Sequence, residues 1–323
     1  MMKIAFLKIE NFRGIRRLEQ NMGERMNVIA GENGAGKSTA IDALRILLSW
    51  LIARIRNSKG RGLPLLDSDI SKGATFCMLE IGLFDGRRWR LVKQRSTDRQ
   101  KLSEITNLQE MTELANTIVA EFDSHPENCQ LPIFANYGVN RSVIDVPLRL
   151  HKSHQLSPLD VYNSQLENVV KFRTFFDWYR EREDIDNANF RYGGNYVPDK
   201  QLTAVRRALE SIMPGYGNLR VDRNPMALVL DKDGVSFNIK DLSDGEKCYF
   251  TLVADIARQL AMATPGLENP LEGEGIVMVD EVDLHLHPQW QSEVVNRLTI
   301  AGGSGNRMGQ DIPKQFVNMY DHS

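Results

Sequence analysis

The chain reads as an α/β fold in which a mixed sheet surrounds a glycine-rich anion loop and carries a helical insertion. Three observations support that reading. A short apolar run at residues 26–30 passes through Gly31-Glu-Asn-Gly-Ala-Gly-Lys-Ser38 into a helix-forming stretch. A second apolar run, Ile276-Val-Met-Val, ends in the paired carboxylates Asp280 and Glu281. Between these two points, strand-like and helix-like segments follow one another with turn signals at their joints.

The elements follow in order. Residues 2–10 alternate and form a strand. Residues 26–30 are short, apolar and ended by glycine, as a buried strand is. From Lys37 to Arg56 the chain is helical, with Ile41, Leu44, Ile46, Leu47, Leu48 and Leu51 forming a broad apolar surface. Residues 58–73 contain glycines, a proline and Asp-Ser-Asp, and read as a loop. Residues 75–84 and 88–95 flank Asp85-Gly86, a hairpin signal. A helix is expected over residues 108–122 and a strand over 131–137. Farther on, Leu166, Val169, Val170, Phe172, Phe175, Phe176 and Tyr179 recur at helical spacing, as in a packed helical subdomain. A helix over residues 202–213 is stopped by Pro214-Gly215. Residues 226–230 and 235–239 form a second hairpin, 244–262 a helix, 275–279 a buried strand and 288–299 a helix. Residues 301–309 are glycine-rich and 311–323 short and polar, so the stretch reads either as a flexible tail or as a truncated end. Residues after about Ala301 are expected to be poorly ordered.

Composition narrows the class. Of 323 residues, 42% are hydrophobic and 25% charged, which is ordinary globular composition. That excludes a disordered tail protein, a collagen-like repeat and a disulfide-stapled miniprotein. The apolar run at residues 46–53 is broken by Ser49 and flanked by Arg45 and Arg54. It is far short of the ~20 residues of a membrane span, and residues 1–10 have no signal-peptide pattern. Cys77, Cys129 and Cys248 are scattered and lack metal spacing, in keeping with a reducing cytoplasm. Residues 1–101 hold 20 Lys and Arg against 10 Asp and Glu, whereas the rest hold 20 against 32. Two readings compete for this asymmetry: a mixed solvated surface, or a basic face turned toward a nucleotide or nucleic acid.

The chemistry resides in three motifs. Gly31 to Ser38 matches G-x-x-x-x-G-K-[ST] and is followed by Thr39. Its glycines let backbone N–H groups wrap a phosphate at a helix N-terminus, Lys37 reaches the β- and γ-phosphates, and Ser38 ligates Mg²⁺. Asp280, at the end of its strand, can hold the hydration shell of that Mg²⁺, and Glu281 is the base that polarises an attacking water. Leu242-Ser243-Asp244-Gly245-Glu246-Lys247 opens a helix as a capping box, with Ser243 at the cap and Glu246 three residues on. The same exposed helix end suits a γ-phosphate.

In this order, GENGAGKS, LSDGEK and VMVDE resemble the ATP-binding-cassette ATPase head. The opening Ile9-Glu-Asn-Phe-Arg-Gly14 and the closing Asp280-Glu-Val-Asp-Leu-His-Leu-His-Pro288 resemble its RecF/SMC-like and OLD-like branch, which includes anti-phage ATPases of the Septu PtuA kind. The resemblance covers about residues 1–300. It implies a P-loop ABC-type head with an N-terminal lobe over residues 1–149, a helical insertion over 150–215, a C-terminal lobe over 216–300 and a tail over 301–323. It further implies that Asn33, Gly34, Ala35, Gly36, Lys37, Ser38, Thr39 and Arg13 lie at the nucleotide, and that Ser243 and Gly245 contact ATP held by the opposite protomer. Ser38 and Asp280 are the implied metal residues, and Glu281 the catalytic one.

Residues 136–141 (NYGVNR) stand where the family has its Q-loop, but no glutamine is present. The stretch from Arg141 to Leu242 is too short for a long coiled-coil arm. The family's switch histidine has no clear counterpart, and His322 is expected not to reach the nucleotide. Asp283, His285 and His287 alternate, so they form either a metal site or a structural turn near the dimer interface. Trp89-Arg-Leu-Val-Lys-Gln-Arg95 either contacts nucleic acid or forms a solvated hairpin.

The implied function is a cytoplasmic switch that binds and hydrolyses ATP with Mg²⁺ and dimerises or oligomerises around it, in DNA repair or phage defence. The alternative is an ATP-gated, non-catalytic clamp holding a separate nuclease. A nuclease or other effector is the expected partner, DNA is a candidate ligand, and no membrane is involved.

Overall fold

The computed structural model describes residues 2–32, 34–96, 103–138, 157–163, 166, 172–192 and 194–280, together with the backbone of Gln315–Asp321. In chain order its first elements are β1 (Ile4–Phe12), β2 (Ile15–Asn21), β3 (Met26–Gly31), α1 (Lys37–Arg56), β4 (Phe76–Leu83), β5 (Arg88–Gln94), α2 (Gln109–Ser124) and β6 (Ile133–Tyr137). There follow α3 (Phe172–Tyr192), α4 (Lys200–Ile212), β7 (Tyr216–Arg223), β8 (Met226–Lys232), β9 (Val235–Asn238), α5 (Asp244–Ala263), β10 (Gly275–Asp280) and β11 (Gln315–Asp321).

The strands form three sheets. One is antiparallel, in the order β2-β1-β4-β5. The second is parallel, in the order β3-β11-β10-β6. The third is the antiparallel meander β7-β8-β9. Helix α1 touches β1, β4 and β5 of the first sheet and β3 and β10 of the second. A helix between two sheets must be apolar nearly all round, which explains why Ala43, Leu44, Leu47, Leu48 and Leu51 are all fully buried. Trp89 of β5 is buried against the same helix and donates from Nε1 to the Leu47 carbonyl at 3.1 Å. That ring is not available to stack on a base, so the hairpin reading of residues 89–95 stands.

β6 and β10 are near-continuous apolar runs, as parallel strands covered on both faces require, and only Asp280 at the end of β10 is partly exposed. β3 departs from the sequence expectation: it is half-buried, with Val28 exposed, whereas β6 at the other edge of the same sheet is buried throughout.

The described part of the helical insertion contains α3 and α4, of 21 and 13 residues. These helices are compact rather than arm-like, and they are fastened to β7. The buried Glu183 of α3 accepts from the Val221 N–H at 3.1 Å and pairs with Arg206 and Arg223 at 3.2 Å each. Tyr179 donates to the Leu219 carbonyl at 2.6 Å. Beyond its first turn, helix α5 is buried from Cys248 to Ala263.

One expectation is corrected. Residues 315–321, expected within a flexible or truncated tail, form β11, parallel to β3 on one side and to β10 on the other. Glycine upstream and a modest apolar content point to disorder only if the strand must gain its stability from side chains. Here both of its backbone edges are hydrogen-bonded, which satisfies groups that would otherwise need solvent. Residues 301–314 and His322 lie outside the described residues.

Candidate functional site

The site begins where β3 ends. Gly34 and Gly36 adopt left-handed φ values of 83° and 94°, which side-chain-bearing residues rarely tolerate. At Gly36 a Cβ would also come within 3.0 Å of Ile15 Cγ1. The loop closes on itself through the Ala35 N–H, which donates to the Glu32 carbonyl at 3.1 Å. Gly36 caps α1 without a side chain, and the first turn of α1 holds no acidic residue. The leading N–H groups of that helix, from Lys37 to Thr39, therefore point out of its end, where the helix dipole favours an anion. Lys37 folds back over the loop, its Nζ donating to the Gly31 carbonyl at 2.5 Å and the Glu32 carbonyl at 3.1 Å. These features fit a bound phosphate chain.

The Ser38 hydroxyl donates to Asp280 Oδ2 at 3.0 Å, joining the start of α1 to the end of β10. A hydroxyl and a carboxylate are hard oxygen donors, and Mg²⁺ on a nucleotide takes few protein ligands of this kind. Among the described residues no group of three or more His, Cys, Asp or Glu could hold a metal ion. Asn33, Glu281, Asp283, His285 and His287 lie outside the described residues.

Arg13, itself at φ 50°, is bound tightly to its surroundings. Its guanidinium reaches Asp42 of α1 at 2.5 Å and Asp69 at 2.9 Å, and stands 4.8 Å from the Phe12 ring centroid. Asp42 lies one helical turn beyond Ser38, so Arg13 braces the helix that bears the loop.

The capping box at α5 is present as expected. Ser243 Oγ accepts from the Glu246 N–H at 3.3 Å, and the Glu246 carboxylate accepts from the Ser243 N–H at 2.9 Å. Two residues absent from the sequence reading join it: Tyr216 donates to Glu246, and Lys232 lies 3.2 Å from the same oxygen. Partial burial opposes the charge on Glu246, but hydrogen bonds from Tyr216, Ser243 and Lys232 outweigh it and hold the carboxyl at about 2. The structure thus brings Lys37, Ser38 and Asp280 together, while it ties Ser243, in the turn with Gly245, to β7 and β8.

A second polar cluster lies in the core. Tyr137, at the end of β6 and in register with Val279, donates to Asp255 Oδ2 at 2.9 Å. Gln259 donates to the same oxygen at 2.8 Å, and Arg258 to Oδ1 at 2.8 Å. Burial and the neighbouring Asp255 raise the Tyr137 phenol well above its usual value. The signal was present in the sequence as Asp255, Arg258 and Gln259 at i, i+3 and i+4 within an apolar helix.

A family model described as "AAA domain" matches residues 7–214. A second AAA-domain model, whose description also names the AbiEii toxin and a Type IV TA system, matches residues 130–307. The Retron Ec83 probable ATPase of Escherichia coli is 28% identical over 92% of this chain and 66% of its own length. Septu protein PtuA of Bacillus mycoides is 25% identical over 91% of this chain and 36% of its own length. The DNA replication and repair protein RecF of Bacillus thuringiensis (strain Al Hakam) is 25% identical over 53% of this chain and 43% of its own length. This chain therefore spans at most 66% of these relatives. The resemblance to RecF-like and Septu ATPases is borne out. Among the described residues no helix is long and apolar enough to cross a membrane.

Proposed function

This chain belongs to the AAA-domain family, and we propose that it is an ATP-dependent switch whose two copies close around ATP and Mg²⁺. The observation that carries the reading is the 3.0 Å contact between Ser38 and Asp280. It joins a loop shaped for phosphates to a carboxylate at the end of a buried strand, where a magnesium ion and its waters would be shared.

Each residue then has a task. The N–H groups of residues 34–39 and the Lys37 ammonium bind the β- and γ-phosphates. Ser38 and Asp280 hold Mg²⁺, which neutralises charge on the phosphates. Glu281, next to Asp280 in the chain, takes a proton from the attacking water as ATP becomes ADP and phosphate. Ser243 and Gly245 complete the site on the partner copy. The retron and Septu relatives support a role in phage defence with an effector as partner, and the RecF relative supports a link to DNA; we infer further that the switch works in the cytoplasm with a nuclease as that effector.

The test is turnover and light scattering on purified protein, with and without DNA. ATP-dependent dimerisation with phosphate release supports the switch. Binding and dimerisation without release would favour the non-catalytic clamp, and absence of ATP binding would overturn both.

A further inference from the structure

The first turn of α5 has more attached to it than a helix cap requires. Glu246 Oε2 serves the cap, accepting from the Ser243 N–H at 2.9 Å and from its hydroxyl at 2.8 Å. Oε1 accepts from the Tyr216 hydroxyl and, at 3.2 Å, from the Lys232 ammonium. Lys232 also donates to the Tyr216 oxygen at 2.7 Å and stands 4.7 Å from that ring centroid. A capping box needs only its two residues. The extra pair comes from the first residue of β7 and the last of β8.

Ser243 has one hydroxyl proton to give, and here it goes to a carboxylate of its own chain. A phosphate arriving at Ser243 must take that proton and settle beside a negative charge. Both steps become easier when a cation on Oε1 cancels the charge on Glu246.

We propose that Lys232 is a positioning residue for the site completed between two copies: by neutralising Glu246 it releases the Ser243 hydroxyl to a γ-phosphate held by the partner copy. Tyr216 fixes the ammonium in place. The inference rests on the preceding reading that Ser243 meets nucleotide across the dimer.

Lys232→Met removes the charge and keeps most of the aliphatic stem. In a Glu281→Gln background, labelled-ATP binding reads the phosphate loop and light scattering reads ATP-induced dimerisation. Lys232→Met is expected to leave ATP binding unchanged and weaken dimerisation about tenfold or more, as loss of a charge-assisted bond does. Adding Glu246→Gln should restore dimerisation to within about threefold of the parent, because the opposing charge is then gone. Lys232→Arg keeps the cation and should dimerise like the parent.

Normal dimerisation by Lys232→Met, no rescue in the double variant, or failure of Lys232→Arg overturns the inference. Ser243→Arg is run alongside. A parent that stays monomeric with ATP, or a Ser243→Arg variant that dimerises normally, overturns the reading across the dimer and this inference with it. If both controls behave as expected and Lys232→Met dimerises normally, only the inference falls.

Discussion

Ser38 and Asp280 are 242 positions apart in the chain, and their side-chain oxygens meet at 3.0 Å. Neither residue alone distinguishes a nucleotide site from a helix start or a strand end. Their contact ties the loop to the carboxylate at a single point where a metal can be shared. Asp280→Asn removes the charge and keeps the shape. It should raise the Mg²⁺ concentration needed for half-maximal turnover about tenfold or more, the scale of one charged interaction. A magnesium titration at saturating ATP measures this, and an unchanged midpoint would place the metal elsewhere.

Lys37→Ala should abolish ATP binding. The ammonium is the fixed side-chain cation of the loop, and a charge-assisted bond to phosphate is among the strongest a side chain makes. Micromolar binding of labelled ATP by the variant would sink the phosphate-loop assignment.

Glu281→Gln should bind ATP normally and hydrolyse it slowly. An amide takes no proton from water, and loss of a general base costs about 10²–10⁴ in rate. The trapped nucleotide should also prolong the dimer. Parent-like turnover in a stopped assay would mean that another group is the base.

Ser243→Arg should leave ATP binding to the single chain intact and block ATP-dependent dimerisation, because in the proposed dimer bulk would stand where the partner's γ-phosphate is expected. Light scattering with ATP decides the matter. An unchanged dimer would reduce the α5 start to a helix cap.

Asp255→Ala tests the core cluster. It would strand the Arg258 guanidinium, which is only 4% exposed, without its carboxylate. Removing one partner of a buried pair costs about 3–5 kcal/mol. Tyr137→Phe removes one hydrogen bond to that carboxylate and should cost about 1 kcal/mol. Urea unfolding compares the two, and equal small losses would show that Arg258 finds another partner.

Most of the fold was legible where the pattern was strong. The apolar surface of α1, the Asp85-Gly86 and Asp231–Gly234 hairpins and the apolar run of β10 all carry periodicity or turn chemistry that tertiary packing has no reason to override. β2 was missed because Arg16, Arg17 and Glu19 interrupt any apolar alternation, whereas the short alternation in β7, with Leu219 and Val221 buried between Asn218, Arg220 and Asp222, was present and overlooked. β2, with no buried residue, is positioned by the backbone of β1 rather than by an apolar face. In the site, the loop and Asp280 were legible because phosphate chemistry dictates the residue types. The Tyr216–Lys232–Glu246 clasp was not, since its members are 14 to 30 positions apart and only the folded β7–β8 pair brings them to α5.

β11 lies between β3 and β10, so the strands that carry the loop and Asp280 never touch as neighbours in the sheet. They are bridged by the segment Gln315–Asp321, which leaves the ribosome after both. A nascent chain that has exposed everything up to Asp280 therefore has the parts of the site without the strand that spaces them. Long-range pairing of this sort is also slow to form. The consequence is an order of assembly: the loop and the carboxylate come into register when the segment Gln315–Asp321 threads the gap between their strands.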